Sequence, residues 1–215
     1  MTRSAKKDSR LPRYRAIAVV LCAGQGTRMR ASQNKVFLPL AGKPVILYSI
    51  EALQNARLVS GILLVAHPSE VPYCRSEIVE RYGTAGVMAV ISGGATRHQS
   101  EERALAYLRS QIEEQEGGGD DIVLIHDGAR PLVTPDEIDR VIQAAHEFGG
   151  ALLGTRVEWW ERIGRLQPDG TIGGVLPTAP LWRAQTPQAF QAKVLLSAYD
   201  QARASGFEGT DTASS

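Results

Sequence analysis

Continuous apolar runs alternate with amphipathic segments along the first two thirds of this 215-residue chain. The runs are rich in β-branched residues and nearly free of charge, which is typical of strands buried on both faces of a parallel sheet. They lie at 16–21, 61–66, 87–91 and 122–126. Apolar residues at helical spacing between them predict helices at 44–55, 69–82 and 98–116. The alternation predicts an α/β fold with a doubly wound, mostly parallel sheet.

A further helix is predicted from residue 134 to about residue 148 by the signals at its two ends. Thr134 is suited to the N-cap and Pro135 to the first helical position. Glu137 stands three residues after Thr134, as in a capping box. Gly149 then ends the pattern, because glycine favours the position just after a helix.

Strand-like segments become short and closely spaced after residue 150. They lie at 151–157, 162–166 and 171–175. Pro168-Asp169-Gly170 is a turn signal between the last two segments. We therefore predict a β-hairpin arm at about 155–180, followed by a last helix at 191–204.

The three tryptophans of the chain lie in or just after the predicted arm, at Trp159, Trp160 and Trp182. Two interpretations stay open. The rings either pack locally into the core or form a contact with a second subunit, since aromatic residues are enriched at interfaces.

A glycine-rich turn follows the first predicted strand. Gly24 and Gly26 allow a tight turn and a close approach of backbone N–H groups to a ligand, which is how an anion-binding nest forms. Arg28 and Lys35 add two cations just beyond the turn. The pattern lacks the third glycine of a dinucleotide fingerprint and the Gly-Lys-Ser/Thr of a Walker loop. The combination indicates a polyphosphate site of another kind.

Three marked loops follow predicted strands directly, at 24–35, 93–100 and 127–130. In an open α/β sheet, ligands bind beyond the carboxyl ends of the strands. We therefore expect these three loops to converge on one edge of the sheet.

Composition and charge bound the domain organisation. A chain of 215 residues with 43% hydrophobic content can bury one substantial core, so we predict a single domain at 16–215. The preceding residues, 1–15, are predicted to be a disordered basic tail. This tail carries six basic residues and one acid, a net +5, which leaves −4 for the rest of a chain whose formal charge is +1.

These features also exclude several classes of function. The near-neutral charge argues against a nucleic-acid partner. No apolar run reaches the roughly 18–20 residues of a membrane span, and the basic start lacks the apolar region of a secretory signal. Cys22 and Cys74 form no metal-binding or Cys-x-x-Cys pattern and are interpreted as reduced thiols, which favours a cytoplasmic location.

Four segments together carry a family resemblance. Ala-Gly-Gln-Gly-Thr-Arg-Met at 23–29 is followed by Lys35 and by Phe-Leu-Pro-Leu-Ala-Gly-Lys-Pro at 37–44. The others are Gly-Gly-Ala-Thr-Arg-His-Gln-Ser at 93–100, His-Asp-Gly-Ala-Arg-Pro at 126–131 and Ala-Gln-Thr-Pro-Gln-Ala-Phe at 184–190. From about residue 16 to its end, the chain resembles the sugar-phosphate nucleotidyltransferases, and within them the 2-C-methyl-D-erythritol 4-phosphate cytidylyltransferase family.

The resemblance implies a Rossmann-like nucleotidyltransferase fold and a cytidylyl transfer from CTP to a sugar-alcohol phosphate, with pyrophosphate leaving. It implies that Arg28 and Lys35 are catalytic and stabilise the transition state. It implies nucleotide binding by Ala23, Gly24, Gly26, Thr27, Gly93, Gly94, Ser100, Asp127 and Arg130. Asp127 would also be the ligand of Mg²⁺, and Thr186 and Arg156 would bind the acceptor. A homodimer formed through the arm is implied as well.

Three departures from the family pattern bear on the substrate. Ala95 stands where many relatives carry an acidic residue near the base. Glu158 stands where relatives carry the arginine that holds the acceptor phosphate, and Arg156 or Arg162 could take its place. The Asn-x-Lys segment that follows Asp211 in relatives has no counterpart within these residues.

Several alternatives therefore stay open beside transfer to 2-C-methyl-D-erythritol 4-phosphate. The acceptor could be another alditol phosphate, such as ribitol 5-phosphate, or the chain could be a non-catalytic nucleotide-binding relative. His126 matches a family motif, yet we interpret it as a structural histidine. A dinucleotide oxidoreductase would need a third glycine and a ribose-binding acid after the second strand, where Pro68-Ser69-Glu70 is a weak candidate.

Overall fold

The computed structural model describes residues 14–24, 34–113, 120–158, 160–177, 180–209 and 212–214. Its strands and α-helices are numbered here in chain order. The strands are β1 (Ala16–Cys22), β2 (Pro39–Leu40), β3 (Lys43–Pro44), β4 (Val59–Ala66), β5 (Val87–Ser92), β6 (Ile122–Asp127), β7 (Gly150–Arg156), β8 (Ile163–Leu166), β9 (Ile172–Leu176) and β10 (Trp182–Gln191). The α-helices are α1 (Val45–Asn55), α2 (Val71–Tyr73), α3 (Arg97–Glu113), α4 (Pro135–Phe148) and α5 (Ala192–Ser205).

Six strands form the main sheet in the order β5-β4-β1-β6-β10-β7. β1 pairs in parallel with β4 and β6, and β4 pairs in parallel with β5. β10 is antiparallel to both of its neighbours, β6 and β7. The prediction of a mostly parallel sheet is confirmed. The sequence pattern assigns no strand to 184–190, and the structure places these residues in the one strand of this sheet that opposes the others.

Two apolar layers enclose the sheet. Alternate residues of β1 face opposite layers, so that Val20 packs in one core cluster and Val19 in the other. One layer is formed with the apolar faces of α1 and α4. The other is formed with those of α3 and α5. Helices on both faces explain why the parallel strands read as continuous apolar runs.

The segment at 69–82 is helical, as predicted, but it is not one regular α-helix. It begins as a 3-10 turn, Pro68–Glu70, continues as α2, and becomes a π-helix at Cys74–Glu80. Pro68 and Pro72 lack the backbone N–H that an α-helical ladder needs, so the ladder cannot be continuous through the start of this segment.

The end signals of α4 are confirmed. The Thr134 side chain accepts from the Glu137 N–H at 3.3 Å, and the Glu137 carboxylate accepts from the Thr134 N–H at 2.9 Å. Gly149 follows the helix with φ +88°, a left-handed conformation that costs glycine little. The sequence alone therefore determines both ends of this helix.

The predicted arm is an antiparallel hairpin of β8 and β9. The Asp169 carboxylate caps its turn by accepting from the Thr171 N–H at 2.9 Å and from the Thr171 hydroxyl at 2.7 Å. The segment predicted at 151–157 belongs to the main sheet as β7, because it pairs along β10. The hairpin therefore starts only after β7.

Large apolar side chains of the arm and its base are exposed. Leu166 and Ile172 are 71% and 70% exposed, and Trp160 and Trp182 are 60% and 59% exposed. Core packing is therefore the wrong interpretation for Trp160 and Trp182. Trp159 lies outside the described residues.

The last two residues of the predicted tail, Tyr14 and Arg15, pack against the domain. Arg15 donates to the buried Asp121 carboxylate from its backbone N–H at 2.7 Å and from its Nε at 2.9 Å. The ring of Tyr14 stacks on that of His146, with centroids 4.1 Å apart. Residues 14 and 15 are thus part of the domain, and the rest of the predicted tail, 1–13, lies outside the described residues. Within the part of the chain that is described, no helix combines the length and apolar character needed to cross a membrane.

Replacing Thr134 by alanine removes the N-cap of α4. We expect the Thr134→Ala variant to lose about 1 kcal/mol of unfolding free energy, because one N–H of the first turn loses its acceptor. Urea denaturation measures this loss. The matched control, Thr134→Ser, keeps the hydroxyl and should stay near the wild-type value; an equal loss in both variants would contradict the capping argument.

Candidate active site

A cavity of about 790 Å³ lies at the carboxyl edge of the parallel strands. Its walls come from the turn after β1, the loop between β5 and α3, and the loop after β6, which contribute Gly24, Gly94 and Asp127 among others. The predicted convergence of three marked loops is confirmed for the residues that the structure describes. A cavity of this size falls within the range of ligand pockets.

Ala23 and Gly24, which follow β1, lie on the cavity wall together with Lys35. Lys35 opens a short 3-10 turn, Lys35–Phe37, and is exposed. The predicted site residues Gly26, Thr27 and Arg28 lie outside the described residues.

Asn34 anchors this turn to the end of β1, and no role was predicted for it. Its side-chain NH₂ donates to the Cys22 carbonyl at 2.8 Å and to the Glu70 carboxylate at 2.9 Å. Its side-chain oxygen accepts from the Val36 N–H at 3.3 Å. The available signal in the sequence was an asparagine directly before Lys35, and its burial is visible only in the structure.

Close backbone packing explains the two glycines of the loop between β5 and α3. A Cβ on Gly93 would lie 2.8 Å from the Ala23 Cβ, and one on Gly94 would lie 2.3 Å from the Gln99 Cβ. The Ser100 hydroxyl accepts from the Gly94 N–H at 3.1 Å and donates to the Thr96 carbonyl at 2.9 Å. Gly94 and Ser100 line the cavity, and Ser100 holds the shape of the loop.

Asp127 ends β6 and lies between two arginines. Its Oδ1 accepts from Arg97 Nη1, and its Oδ2 accepts from Arg130 Nε at 2.9 Å. Burial alone would raise the pKa of the Asp127 carboxyl, but the two guanidinium groups outweigh burial and hold that pKa below its usual value. The side chain is therefore an anion at neutral pH. Arg130 also donates to the Gln185 side chain.

Arg97 is a site residue that sequence reasoning missed, although it lies within the quoted 93–100 segment. It lines the cavity, pairs with Asp127, and places its Nε 2.9 Å from Glu101 Oε1. The available signal was its spacing of four residues from Glu101, which puts both side chains on one face of a helix.

His126 and Thr186 lie next to Asp127 and are joined to each other by a hydrogen bond. His126 is fully buried between the hydroxyls of Ser49 and Thr186, at 3.3 and 3.2 Å. Its interpretation as a structural histidine is confirmed. The Thr186 hydroxyl accepts from the Asp127 N–H at 3.1 Å. Thr186 is only 7% exposed, so its predicted contact with the acceptor stays a prediction.

The remaining acceptor candidates lie near the base of the arm. The Arg156 guanidinium carbon lies 5.5 Å from the centre of the Trp182 ring, and Arg156 is not part of the cavity wall. Glu158 is exposed, and its N–H donates to the Glu161 carboxylate at 2.8 Å. The structure therefore does not bring Arg156 together with the nucleotide-side residues within this chain.

The two cysteines are free thiols, and Cys22 borders the cavity. A hydrogen bond with the Cys74 thiol and burial raise the pKa of Cys22 well above its usual value. Cys22 therefore stays protonated and is poorly suited to act as a nucleophile.

Comparison with known proteins assigns the family. The family model of 2-C-methyl-D-erythritol 4-phosphate cytidylyltransferase matches residues 16–215. The chain belongs to this family. It is therefore a nucleotidyltransferase of the cytidylyltransferase type, and its fold class is as predicted.

Relatives and solved structures agree with this assignment. The chain is 40% identical over 196 residues to a 2-C-methyl-D-erythritol 4-phosphate cytidylyltransferase of Geobacter metallireducens, covering 91% of this chain and 81% of the relative. The crystal structure of the enzyme of that name from Thermus thermophilus has a TM-score of 0.65 at 27% identity, with coverages of 91% and 80%. A 4-diphosphocytidyl-2C-methyl-D-erythritol synthase from Anaerococcus prevotii superposes with a TM-score of 0.72 at 21% identity, with coverages of 93% and 80%, and supports the fold alone.

The burial of His126 predicts a pH dependence of stability. Burial lowers the pKa of His126 to about 4 from an ordinary value of 6.5. The unfolded chain therefore binds a proton that the folded chain resists, and stability falls as the pH drops from 6.5 to about 4. This term amounts to about 3 kcal/mol at most.

Urea denaturation between pH 7.5 and pH 4 measures that loss. We expect the His126→Asn variant to lose less stability over this range, because asparagine has no proton to take up. His67→Asn is the matched control, because it makes the same substitution at a histidine that is only partly buried. Equal slopes in wild type and His126→Asn would contradict the argument.

Proposed function

We propose that this chain joins CTP and 2-C-methyl-D-erythritol 4-phosphate. A phosphate oxygen of the acceptor forms a bond to the α-phosphorus of CTP. The bond between the α-phosphorus and the oxygen that bridges to the β-phosphorus breaks, and pyrophosphate leaves with that electron pair. The observation that supports this proposal is the cavity at the carboxyl edge of the sheet, which is lined by cationic side chains. The chain's membership of this family supports it as well.

This reaction needs positive charge near the phosphates and correct positioning of the two substrates. It does not need an activated nucleophilic side chain. The attacking phosphate is already mostly ionised near neutral pH, because its second pKa is about 6. Phosphoryl transfer is then accelerated chiefly by orientation and by neutralising charge on the phosphates. Lys35, Arg97 and Arg130 line the cavity, and the sequence places Arg28 in the same loop as Lys35. We assign the catalytic roles to Arg28 and Lys35.

The nucleotide would be held by the two glycine loops. Backbone groups of Ala23, Gly24, Gly26 and Thr27 would bind the triphosphate, where the absence of side chains allows close approach. Gly93, Gly94 and Ser100 would contact the base. The tight packing of Gly93 and Gly94 supports this assignment, because any side chain there would deform the cavity wall.

A magnesium ion would arrive with the triphosphate. Mg²⁺ in such sites is commonly held by one or two carboxylates together with substrate phosphates. Among the described residues no group of three metal-binding side chains occurs, and we assign Asp127 as the protein's ligand. Asp127 fits, since it is ionised and faces the cavity, and the phosphates would draw Arg97 or Arg130 from one of its oxygens. The ion would neutralise phosphate charge.

The acceptor would be bound by Thr186 and Arg156. Thr186 lies beneath Asp127, and Arg156 lies at the base of the arm. In a homodimer, Arg156 at the end of β7 would contact the acceptor in the partner's cavity. A different alditol phosphate, such as ribitol 5-phosphate, is the second candidate acceptor, because Glu158 would repel a phosphate where relatives carry an arginine.

The direct test is pyrophosphate release. CTP, Mg²⁺ and 2-C-methyl-D-erythritol 4-phosphate are compared with ribitol 5-phosphate as acceptor and with UTP as donor. Release with the first set alone supports the proposal. Faster release with ribitol 5-phosphate would identify ribitol 5-phosphate as the acceptor. CTP binding without release on either acceptor would leave a nucleotide-binding relative.

In the same assay, we expect Lys35→Ala to lower turnover about a hundredfold to a thousandfold, because one charged contact to the transition state is lost. The fold should persist, since Lys35 is exposed. Lys193→Ala is the matched control, because Lys193 pairs with Asp120 near the start of β6, at the opposite end of that strand from the cavity. Near-normal turnover in Lys35→Ala would remove Lys35 from the mechanism.

We further propose that the protein is a cytoplasmic homodimer joined through the arm. The exposed apolar side chains Leu166, Ile172 and Val175 on the hairpin support this, since such a strip is costly to leave in water. The free thiols of Cys22 and Cys74 suit a reducing compartment.

Sedimentation at micromolar concentration tests the dimer. We expect wild type to sediment as a dimer and Leu166→Gln/Ile172→Gln to shift toward monomer, because the apolar contact is lost. Phe148→Gln is the control, since Phe148 is an equally exposed apolar residue at the end of α4. A wild-type monomer would overturn this part of the proposal.

A further inference from the structure

Glu101 is a buried carboxylate beside the cavity wall that the reaction, as described so far, does not use. It lies on α3, one turn after Arg97, and is only 1% exposed. Acidic side chains are almost never buried to this degree unless they are paired. Its partners therefore indicate what it does.

Arg97 is the partner that links Glu101 to the site. The Arg97 Nε lies 2.9 Å from Glu101 Oε1, while Arg97 Nη1 bonds to Asp127 Oδ1. The guanidinium thus lies between two carboxylates: it donates a hydrogen bond to Asp127 and forms an ion pair with Glu101. Because guanidinium keeps its charge at all ordinary pH values, the two anions together restrict its position at the cavity wall.

Two hydroxyls occupy the rest of the Glu101 carboxylate. Thr212 Oγ1 donates to Glu101 Oε1 at 2.8 Å, and the Tyr199 hydroxyl donates to Oε2. The two hydroxyls donate to different oxygens of Glu101, which suits a carboxylate, since a glutamine side chain offers a single accepting oxygen. The Tyr199 ring is itself held by stacking on His98 at 4.8 Å.

Glu208, Thr212 and Ala213 make further hydrogen bonds around Glu101 and the loop before Arg97. The Ala213 N–H donates to the buried Gln188 side chain at 3.1 Å, next to the Thr212 contact with Glu101. The Thr96 hydroxyl donates to Glu208 at 2.6 Å, on the loop that precedes Arg97. The cavity wall around Arg97 is therefore supported by residues more than a hundred positions later in the chain.

We propose that Glu101 is a positioning residue that acts through Arg97. It holds the guanidinium at the cavity wall, so that Arg97 can meet the triphosphate without first being ordered. When the phosphates draw Arg97 away from Asp127, the contact with Glu101 keeps the cation in the cavity. This inference rests on the proposed function, because the benefit is to the binding and reaction of CTP.

The kinetic test is the Glu101→Gln variant, which is isosteric and removes the charge. We expect kcat/KM for CTP to fall about tenfold or more, as when a supporting partner of a site residue is lost. The KM for the acceptor should stay unchanged. Glu102→Gln is the matched control: it makes the same change one residue along α3, on a side chain that contacts Arg203 and lies outside the cavity wall.

A double-mutant cycle separates positioning from general stability. Arg97→Lys keeps the charge and removes the Nε that Glu101 holds. If Glu101 acts through Arg97, adding Glu101→Gln to Arg97→Lys should lower kcat/KM little further. Equal losses in both backgrounds would show that Glu101 acts independently of Arg97 and would overturn the proposal. Where Glu101→Gln does not fold, Glu101→Asp takes its place, with a smaller loss expected.

Hydrogen exchange of the Arg97 Nε–H, followed by NMR without substrate, tests the contact between Arg97 and Glu101 independently of turnover. We expect slow exchange in wild type and in Glu102→Gln, because this N–H is buried beside the Glu101 carboxylate. Exchange should be at least about tenfold faster in Glu101→Gln, because the ion pair that keeps the guanidinium in its buried position is gone. Unchanged exchange would overturn the inference. If wild type transferred no cytidylyl group to any acceptor, the proposed function would fail, while this exchange would still decide whether Glu101 holds Arg97.

Discussion

The rest of the molecule depends on the burial of β1. Its residues are apolar and nearly all inaccessible, and it pairs in parallel with β4 on one side and β6 on the other. Helices then have to cover both faces, since neither face of such a strand can meet water. Once β1, β4, β5 and β6 point the same way, the loops that follow them must share one edge. The position of the candidate active site is thus a consequence of burying one strand.

Charge organises that edge. Asp127 is an anion held between two arginines, and Glu101 is a second, deeper carboxylate behind one of them. Each of the two described arginines at the wall, Arg97 and Arg130, forms an ion pair with Asp127. A polyphosphate can take over some of these contacts without any cation having to be recruited from solvent. Such preorganisation is how a site gains from electrostatics at little cost in reorganisation during the reaction.

The two halves of the proposed reaction stand on different parts of the fold. The proposed nucleotide half consists of loops at strand ends, and at Gly94 a hypothetical Cβ would lie only 2.3 Å from a neighbouring atom. The acceptor half depends on Arg156 and the hairpin, whose side chains are exposed and do not reach the cavity of their own chain. A second subunit would complete the acceptor half of the site. Binding of the acceptor would therefore depend on formation of the dimer.

The sequence by itself determined whatever depends on neighbours in the chain: the apolar strands, the capping box of α4, the glycine loops and, from four segments, the family. Convergence of the loops also followed, because parallel strands share an edge. Only the tertiary structure decided the place of β10, since antiparallel pairing between β6 and β7 depends on register with distant strands. It also decided that Asp127 meets Arg97, 30 residues away, and that Glu101 meets Thr212, 111 residues away. Side chains so distant in sequence are brought together by packing of the whole domain, and no local pattern specifies which of them will meet.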